Sequence, residues 1–276
     1  MIPKIIHQTW FNKNKLPTIF EKLRNESIKN NNDFEFMLWD DNNIDIFLEK
    51  NYKKIYNIYK KDILGVQKSD LARLAILHYY GGIYIDLDIL LLKNLNSLFN
   101  FNLDTFYISY EPSEQTKHIW NADNYICNAF FACNSKNEII QNIIDIIISI
   151  YDKYGDDIFG KFNIFGSELY KLVIDKSDKS RYTIIETNKI FPISDIKLEL
   201  DSCDNDFDKI RYGNYDSDSY MVHYWIHSNF EAVNIIYNFN YNDKETIHEN
   251  LGKFFENMYP NNKTILNNKK YILRFD

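Results

Sequence analysis

Cysteine is scarce in this sequence, and its three occurrences, Cys127, Cys133 and Cys203, form neither an even set nor a paired metal-binding spacing. We therefore predict free thiols in a reducing compartment. No segment offers about 18 apolar residues in a row, so no transmembrane helix is expected. The N-terminal MIPKIIHQTW lacks the long apolar core of a signal peptide. Together these absences predict a cytoplasmic protein, with peripheral association at a membrane left open.

Positively charged residues are also outnumbered, with 32 Lys and Arg against 39 Asp and Glu. The net charge of −7 at pH 7 argues against a general nucleic-acid binder, which needs a basic face. An anionic nucleotide remains compatible with this charge if a metal and a few cations line its cleft. Hydrophobic residues at 45% and aromatic residues at 16% are ample for a large core and exclude disorder of the whole chain. With no repeat and no clear linker, we predict a single domain over residues 1–276, with a helical C-terminal extension at about 242–276.

Strand-like and helix-like segments alternate over the first hundred residues, which predicts an α/β fold with a mainly parallel sheet and helices on its faces. The predicted strands cover residues 4–10, 34–39, 83–89, 105–110, 128–133 and 182–186. The predicted helices cover residues 18–29, 44–59, 68–80, 139–151 and 167–175, and a further one lies around 245–258. Polar loops are predicted over 111–125 and, as a mobile segment, over 201–219. Ser135 and Glu138 form a capping-box signature before the helix at 139–151.

The rest of the chain is organised around the stretch KSDLARLAILHYYGGIYIDLDILLL at 68–92. Its first half is an apolar helix that carries Ser69, Asp70 and Arg73 on or beside one face. Gly81-Gly82 is a stop signal, because glycine reaches the left-handed conformation that ends a helix at little steric cost. Asp70 and Arg73 could form a surface ion pair of little energetic worth, or they could face a cleft beside the following strand.

The second half of this stretch predicts a strand that ends in two aspartates. Alternation with a period of two places Tyr84, Asp86 and Asp88 on one face, so the two carboxylates point the same way, about 6–7 Å apart along the backbone. Carboxylate oxygens are the ligands that Mg²⁺ or Mn²⁺ prefers, and a single pair suits a metal that completes its shell with phosphates and water. The position at the end of an apolar strand favours a metal site over a solvated strand end.

An aromatic and histidine-rich patch, MVHYWIHSNF at 221–230, offers further ligands. His223 and His227 are four residues apart, but their aromatic neighbours make a regular helix and a two-histidine zinc site a weak interpretation. Two alternatives remain: His223 is a third ligand beside the two carboxylates, or it belongs to a packed aromatic cluster. Base rates alone place Trp10 and Trp225 in the core.

Four segments of the chain resemble glycosyltransferase family 32, the DXD sugar-binding enzymes that include fungal outer-chain-initiating mannosyltransferases and bacterial capsule transferases. They are IPKIIHQTW, the LWDD of Leu38–Asp41, KSDLARLAILHYYGGIYIDLDI and the late HYW. The resemblance is close over residues 2–93 and loose around His223. Where the family often has Gly-Pro before a helix this chain has Gly166-Ser167, and the family's His-x-Trp-x-x-Ser-Trp ending here has Asn229 in place of the last Trp.

The resemblance implies a GT-A fold with a mixed sheet and a site for a nucleotide sugar. It implies that Asp86, Asp88 and His223 hold Mn²⁺ or Mg²⁺ against the diphosphate of a UDP- or GDP-hexose. Asp70 and Arg73, with the neighbouring Ser69, would bind the donor sugar. Substrate contacts are also implied for three side chains around them, namely Tyr84 in the same pocket, Asp86, and Trp10 against the base.

Family membership further implies transfer with retention, giving an α-linked product on a glycan or lipid-linked acceptor. The sequence marks no covalent nucleophile, which favours front-face attack by the acceptor hydroxyl, with Asp86, Asp88 and Arg73 as the catalytic residues. A metal bridging the phosphates would stabilise the leaving group as a Lewis acid. Two alternatives stay open: a nucleotide-sugar hydrolase that uses the same metal site, and a binding module with degenerate chemistry.

Overall fold

The computed structural model describes residues 1–61, 63, 65–120, 123–158, 165–194 and 217–225. Its strands are β1 Ile5–Thr9, β2 Glu35–Trp39, β3 Gly82–Ile85, β4 Ile89–Leu91, β5 Phe106–Ser109, β6 Phe130–Cys133, β7 Tyr182–Ile185 and β8 Met221–His223. Its α-helices are α1 Thr18–Asn30, α2 Asp41–Asn51, α3 Lys53–Tyr59, α4 Gly65–Tyr80, α5 Ser113–Trp120, α6 Glu138–Tyr154, α7 Ser167–Lys176 and α8 Thr187–Ile190. None of the helices in the described part of the chain is long and apolar enough to cross a membrane.

Six strands form one mixed sheet in the order β2-β1-β3-β6-β5-β7. β1 pairs in parallel with β2 and β3, and β5 pairs in parallel with β7. β6 is antiparallel to both of its neighbours, β3 and β5. The predicted α/β class with a mixed, mainly parallel sheet is therefore confirmed. Because every strand except β6 runs in the same direction, five carboxyl ends meet at one edge of the sheet, where ligands bind in open α/β folds.

Helices cover one face of the sheet through a large apolar cluster to which α4 and α6 contribute most. The isoleucines of α6 recur at helical spacing and seven of them are buried, while Asn142, Asp145 and Ser149 on the other side are exposed. This helix is therefore amphipathic. The opposite face of the sheet packs on a second cluster, which includes β4, Phe191 and Trp225. Burying each of the seven isoleucines of α6 contributes about 1.5–3 kcal/mol, which holds α6 against α4 and the sheet.

Gly81 and Gly82 make the turn from α4 into β3, as expected. Their φ angles are +68° and +98°, and the Gly81 amide donates to Leu77 O at 2.8 Å to end the helix. A Cβ on Gly82 would lie 2.6 Å from the carbonyl oxygen of Ile5, so glycine is also what allows β3 to approach β1. This turn leads from the end of α4 directly into β3 in the middle of the sheet.

The predicted strand over 83–89 is wrong at its end. β3 stops at Ile85, the chain turns through Asp86–Asp88, and the Ile89 amide donates to Asp86 O at 3.2 Å. β4 then leaves the main sheet and pairs antiparallel with β8, with Ile89 opposite His223. The alternation of side chains therefore does not run on through Asp88. A pairing with a segment more than a hundred residues away overrides the local pattern.

Other boundaries also differ. The helix predicted over 44–59 is two helices, α2 and α3, because Tyr52 adopts φ −139° and ψ 60° between them. The loop predicted over 111–125 contains α5. The N-cap of α6 is Asn137, whose side chain accepts from the amides of Ile139 and Ile140, so the capping box from Ser135 is wrong. The extension at 242–276, His227 and most of the loop at 201–219 lie outside the described residues, and the single-domain assignment stays a prediction.

Candidate active site

Asp86, Asp88 and His223 come together at the carboxyl edge of the central strand. One possible ligand atom from each of the three lies within 4.8 Å of the others. The β4–β8 pairing causes this, since Ile89 opposite His223 and the bond from the Tyr224 amide to Asp88 O, at 2.9 Å, place the histidine beside the aspartate turn. His223 Nε2 lies 3.2 Å from Asp88 Oδ1. The structure thus joins three predicted ligands from two distant segments.

The donor chemistry of this group fits a divalent cation. The two carboxylates are ligands that suit Mn²⁺ and Mg²⁺, and the imidazole adds a nitrogen ligand that transition metals accept. Asp88 and His223 are only 7% and 6% exposed. A bound cation would offset the cost of burying the negative charge of Asp88. His223 Nδ1 is buried and has no hydrogen-bond partner within the described part of the chain. Burial opposes protonation of His223, but Asp88 and Asp86 outweigh it and raise its pKa.

His223 also belongs to an aromatic cluster. Its ring centroid lies 4.0 Å from that of Trp225 and 5.7 Å from that of Phe191. Trp225 is buried in the core, as base rates suggested, and its Nε1 donates to Ile193 O at 2.8 Å. The two interpretations of His223 are therefore compatible: the aromatic rings hold the imidazole in place and its Nε2 faces Asp88.

Asp70 and Arg73 form a buried ion pair on α4. Arg73 Nη2 lies 3.0 Å from Asp70 Oδ1 and 3.5 Å from Asp86 Oδ1, and the first two residues are 3% and 2% exposed. The alternative of a plain surface ion pair is thus wrong. Burial raises the pKa of Asp70, with Arg73 opposing the rise. Burial also opposes the charge of Arg73, but Asp86 and Asp70 hold the Arg73 pKa above its ordinary value, so the guanidinium stays charged.

A chain of hydroxyl groups links α4, β1 and β3 to Asp86. Thr9 Oγ1 lies 2.8 Å from Ser69 Oγ and 3.0 Å from Tyr84 OH, and Tyr84 OH donates to Asp86 Oδ1 at 2.8 Å. Arg73 Nη2 donates to Ser69 Oγ at 3.4 Å, and the guanidinium lies 4.6 Å from the centroid of the Tyr84 ring. Because the single Tyr84 proton goes to Asp86, Tyr84 must accept from Thr9 or Ser69. If the shorter contacts are followed, each group donates to the next in the order Arg73, Ser69, Thr9, Tyr84 and Asp86. This chain of hydrogen bonds holds Oδ1 of Asp86 in place.

Asn128 was not among the residues expected from the sequence. Its side-chain Nδ2 donates to Asp70 Oδ1 at 2.9 Å, and its backbone oxygen accepts from Arg73 Nη1. It lies where the β5–β6 pairing is interrupted, since Tyr107 pairs with Ala132 but Tyr110 pairs with Ile126. The surplus residues on the β6 side form a bulge that aims Asn128 at the ion pair. A polar residue two positions before a buried strand is a sequence signal that could have found it.

Trp10 follows β1 at the same edge of the sheet. Its ring packs edge-on against Phe20 of α1, with centroids 5.2 Å apart, and its Nε1 donates to Lys15 O at 3.1 Å. These contacts fix the ring beside the carboxyl end of β1. The role of Trp10 against a nucleotide base, like the ligand and sugar-binding roles of the other residues, stays a prediction.

Comparison with known proteins identifies the region that carries this site. Residues 17–103 match the family model described as the glycosyltransferase sugar-binding region containing a DXD motif. Asp86 and Asp88 lie within the matched residues, and the predicted resemblance is confirmed. The mixed α/β sheet, with an aspartate-bearing turn after its central strand, has the GT-A type of architecture that the resemblance implies.

The chain is 37% identical over 113 residues to an uncharacterized glycosyltransferase of Acanthamoeba polyphaga mimivirus, which covers 40% of this chain and 44% of that protein. It is 34% identical over 100 residues to inositol phosphoceramide mannosyltransferase 3 of Schizosaccharomyces pombe, covering 36% of this chain and 28% of the relative. These alignments span less than half the length of either relative. Among solved structures, the PaToxG glycosyltransferase overlays with a TM-score of 0.47 at 20% identity, over 63% of this chain and 69% of that one.

Proposed function

We propose that this chain is a metal-dependent glycosyltransferase that moves a hexose from a nucleotide-diphosphate sugar to a hydroxyl acceptor. The observation that carries the proposal is the grouping of Asp86, Asp88 and His223 within 4.8 Å, beside the buried pair of Asp70 and Arg73. Two carboxylates with a histidine suit a cation that binds phosphates, and a buried Asp–Arg pair suits a ligand rich in hydroxyls. The matched DXD region supports the same assignment.

Each group has a role in this proposal. Asp86, Asp88 and His223 hold Mn²⁺ or Mg²⁺, which when bound supplies Lewis-acid stabilisation of the diphosphate leaving group. Arg73 adds a fixed positive charge next to Asp86, in a site where burial strengthens electrostatic stabilisation. Asp70 accepts hydrogen bonds from the donor sugar, with Asn128 holding its carboxylate in place.

The site also bears on how the sugar is attacked. Asp70 already accepts from Asn128 and pairs with Arg73, which suits hydrogen bonding to hydroxyls better than nucleophilic attack. This supports front-face attack by the acceptor hydroxyl, with retention and an α-linked product. The sugar would develop oxocarbenium character, as in glycoside hydrolysis.

Among donors, a mannose nucleotide is the first candidate, because several relatives are named mannosyltransferases. GDP- and UDP-hexoses both stay within the proposal. The acceptor is a glycan or a lipid-linked hydroxyl, and the names of the fungal relatives point to the inositol headgroup of a lipid. The buried thiols of Cys127 and Cys133 suit a reducing compartment, in line with a cytoplasmic location.

A thermal-shift screen of GDP-mannose, UDP-glucose and related nucleotide sugars, with and without Mn²⁺, tests the donor and the metal together. A ligand that binds the folded chain raises the melting temperature by mass action, and we expect one donor to do so only with the metal. Asp88→Asn should abolish that shift. Asp104→Asn, at an exposed carboxylate paired with Arg181, is the matched control and should leave it unchanged.

Transfer to methyl α-mannoside or myo-inositol, measured beside the release of free sugar, then separates a transferase from a hydrolase. Transfer that exceeds release supports the proposal, whereas release without transfer supports the hydrolase. A donor shift that is indifferent to EDTA would support a binding module and would contradict the metal site.

A further inference from the structure

Glu111 leaves the sheet at the same edge as Asp86, two strands away. Ala132 of β6 pairs with Ile83 on one side and with Tyr107 on the other, so these residues form one row across the sheet. Asp86 lies three residues beyond that row and Glu111 four, on strands that run in the same direction. With about 4.8 Å between neighbouring strands, Glu111 lies about 10 Å to the side of Asp86. A single sugar ring fits within that separation.

Glu111 also lies on the face of the sheet that carries His223. Tyr107 belongs to the cluster that contains Trp225, and the alternation of side chains places Ser109 and Glu111 on the side of Tyr107. Beyond the interruption of the β5–β6 pairing, the pairing resumes at Tyr110 and Ile126, and the Glu111 amide donates to Tyr125 O at 2.8 Å. His223 rests against Trp225 on this same side.

The carboxylate of Glu111 is held in a defined orientation. Gln115 Nε2 donates to Glu111 Oε2 at 3.2 Å, and Gln115 itself is 3% exposed. Gln115 is fixed in turn by α5, where its amide donates to Pro112 O at 3.0 Å. Glu111 is partly exposed at this edge of the sheet, with its carboxylate held by Gln115.

The charge of this residue limits what it can bind. A carboxylate repels the phosphates of a nucleotide and accepts hydrogen bonds from hydroxyl groups, which charge makes stronger than neutral ones. The donor-binding pair, Asp70 and Arg73, lies on the helix-covered face with Tyr84, whereas Glu111 lies on the opposite face. We propose that Glu111 binds hydroxyl groups of the acceptor, a neutral saccharide or polyol, and so marks the acceptor subsite. This assignment rests on the proposed function.

The test compares the wild-type chain with Glu111→Gln, Glu111→Ala and the control Glu35→Gln, which changes an exposed carboxylate on the outer strand β2. Initial rates are measured with GDP-mannose as donor and with methyl α-mannoside and myo-inositol as acceptors, and mannose release to water is recorded in parallel. We expect the acceptor KM to rise by about 10- to 100-fold in the Glu111 variants, the effect of losing a hydrogen bond to a charged group. The donor KM, mannose release and the Mn²⁺-dependent thermal shift with GDP-mannose should match the wild type, and Glu35→Gln should match it throughout.

The outcomes separate this assignment from the proposed function. An unchanged acceptor KM in Glu111→Ala overturns the acceptor role while leaving the proposed function in place. Loss of the donor thermal shift in both Glu111 variants means that the Glu111–Gln115 bond is structural, and it also overturns the role. If the wild-type chain neither binds nor turns over any nucleotide sugar, the proposed function fails, and the acceptor role fails with it.

Discussion

The buried histidine of β1 should make this fold sensitive to mild acid. His7 is fully buried, and its two nitrogens have opposite roles. Trp39 Nε1 donates to His7 Nδ1 at 3.2 Å, so the hydrogen lies on His7 Nε2, which donates to Gly81 O at 2.9 Å. Protonation would place a hydrogen on Nδ1 against the Trp39 N–H. Burial lowers the pKa of His7 from 6.5 to about 4, although its bond to Gly81 opposes the shift.

The direction and size of the effect follow from this lowered pKa. Above pH 6.5 His7 is neutral in both the folded and the unfolded chain, and the full stability is present. As the pH falls below 6.5 the unfolded chain takes up a proton that the folded chain refuses until about pH 4. At about 1.4 kcal/mol per unit of pKa difference, His7 alone should lower the free energy of unfolding by about 2 kcal/mol between pH 7.5 and pH 5.

Urea unfolding of the wild type and of His7→Gln at these two pH values measures the effect. Glutamine keeps one acceptor and one donor, so we expect a modest loss at pH 7.5 and a pH dependence smaller by about 2 kcal/mol. The comparison cancels every group that the two chains share. Two results would refute this reasoning: equal pH dependence in the variant and the wild type, or an NMR titration of His7 in the folded chain with a midpoint near 6.5.

Two further predictions concern the turn and the hydroxyl chain. Gly82→Ala should lower the free energy of unfolding by at least about 2 kcal/mol, because φ is +98° and the new Cβ would meet backbone atoms. Gly155→Ala is the control: its φ is +58°, but nothing lies within 4 Å of the new Cβ, so it measures the backbone strain without the clash. It should lower the free energy of unfolding by less in the same urea experiment. Thr9→Val removes the hydroxyl group that hydrogen-bonds Tyr84, which in turn donates to Asp86, and so should weaken Mn²⁺ binding by about 10-fold or more. Thr9→Ser keeps a hydroxyl group at this position and should keep the Mn²⁺ affinity of the wild type. Equal Mn²⁺ affinity in the two Thr9 variants, by direct titration, would contradict that order.

Local signals in the sequence were enough to predict α4, the glycine turn and β3 as far as Ile85. Gly81-Gly82 specifies its turn because only glycine combines positive φ with the close approach to β1. Asp70 and Arg73 share a helix face at a spacing of three residues, and no longer-range information is needed to put them together. The alternation of β3 correctly placed Tyr84 on the face opposite Ile83 and Ile85, although all four residues of the strand are buried.

Partners distant in sequence decided what the local pattern missed. The turn at Asp86–Asp88 exists because β4 pairs with β8, and the alternation carries no trace of that pairing. Asn128 reaches Asp70 only because the β5–β6 pairing is interrupted, and His7 is held by Trp39 from β2 and Gly81 from the turn. In each case the chemistry of the residue was readable, but the residue that it meets was not.

The residues of the candidate site come from two parts of the chain, one inside the region matched by the family model and one beyond it. The proposed donor-side groups, Asp70, Arg73 and Asp86, come from one continuous stretch that lies inside the matched region of 17–103. His223 and Glu111 lie beyond residue 103, on strands that the fold brings to the same edge. Similarity over the matched region therefore bears on the proposed donor-side groups and on two of the three proposed metal ligands, Asp86 and Asp88, but not on His223. The proposed acceptor residue, Glu111, lies where the match does not reach, so the choice of acceptor has to be measured on this chain itself.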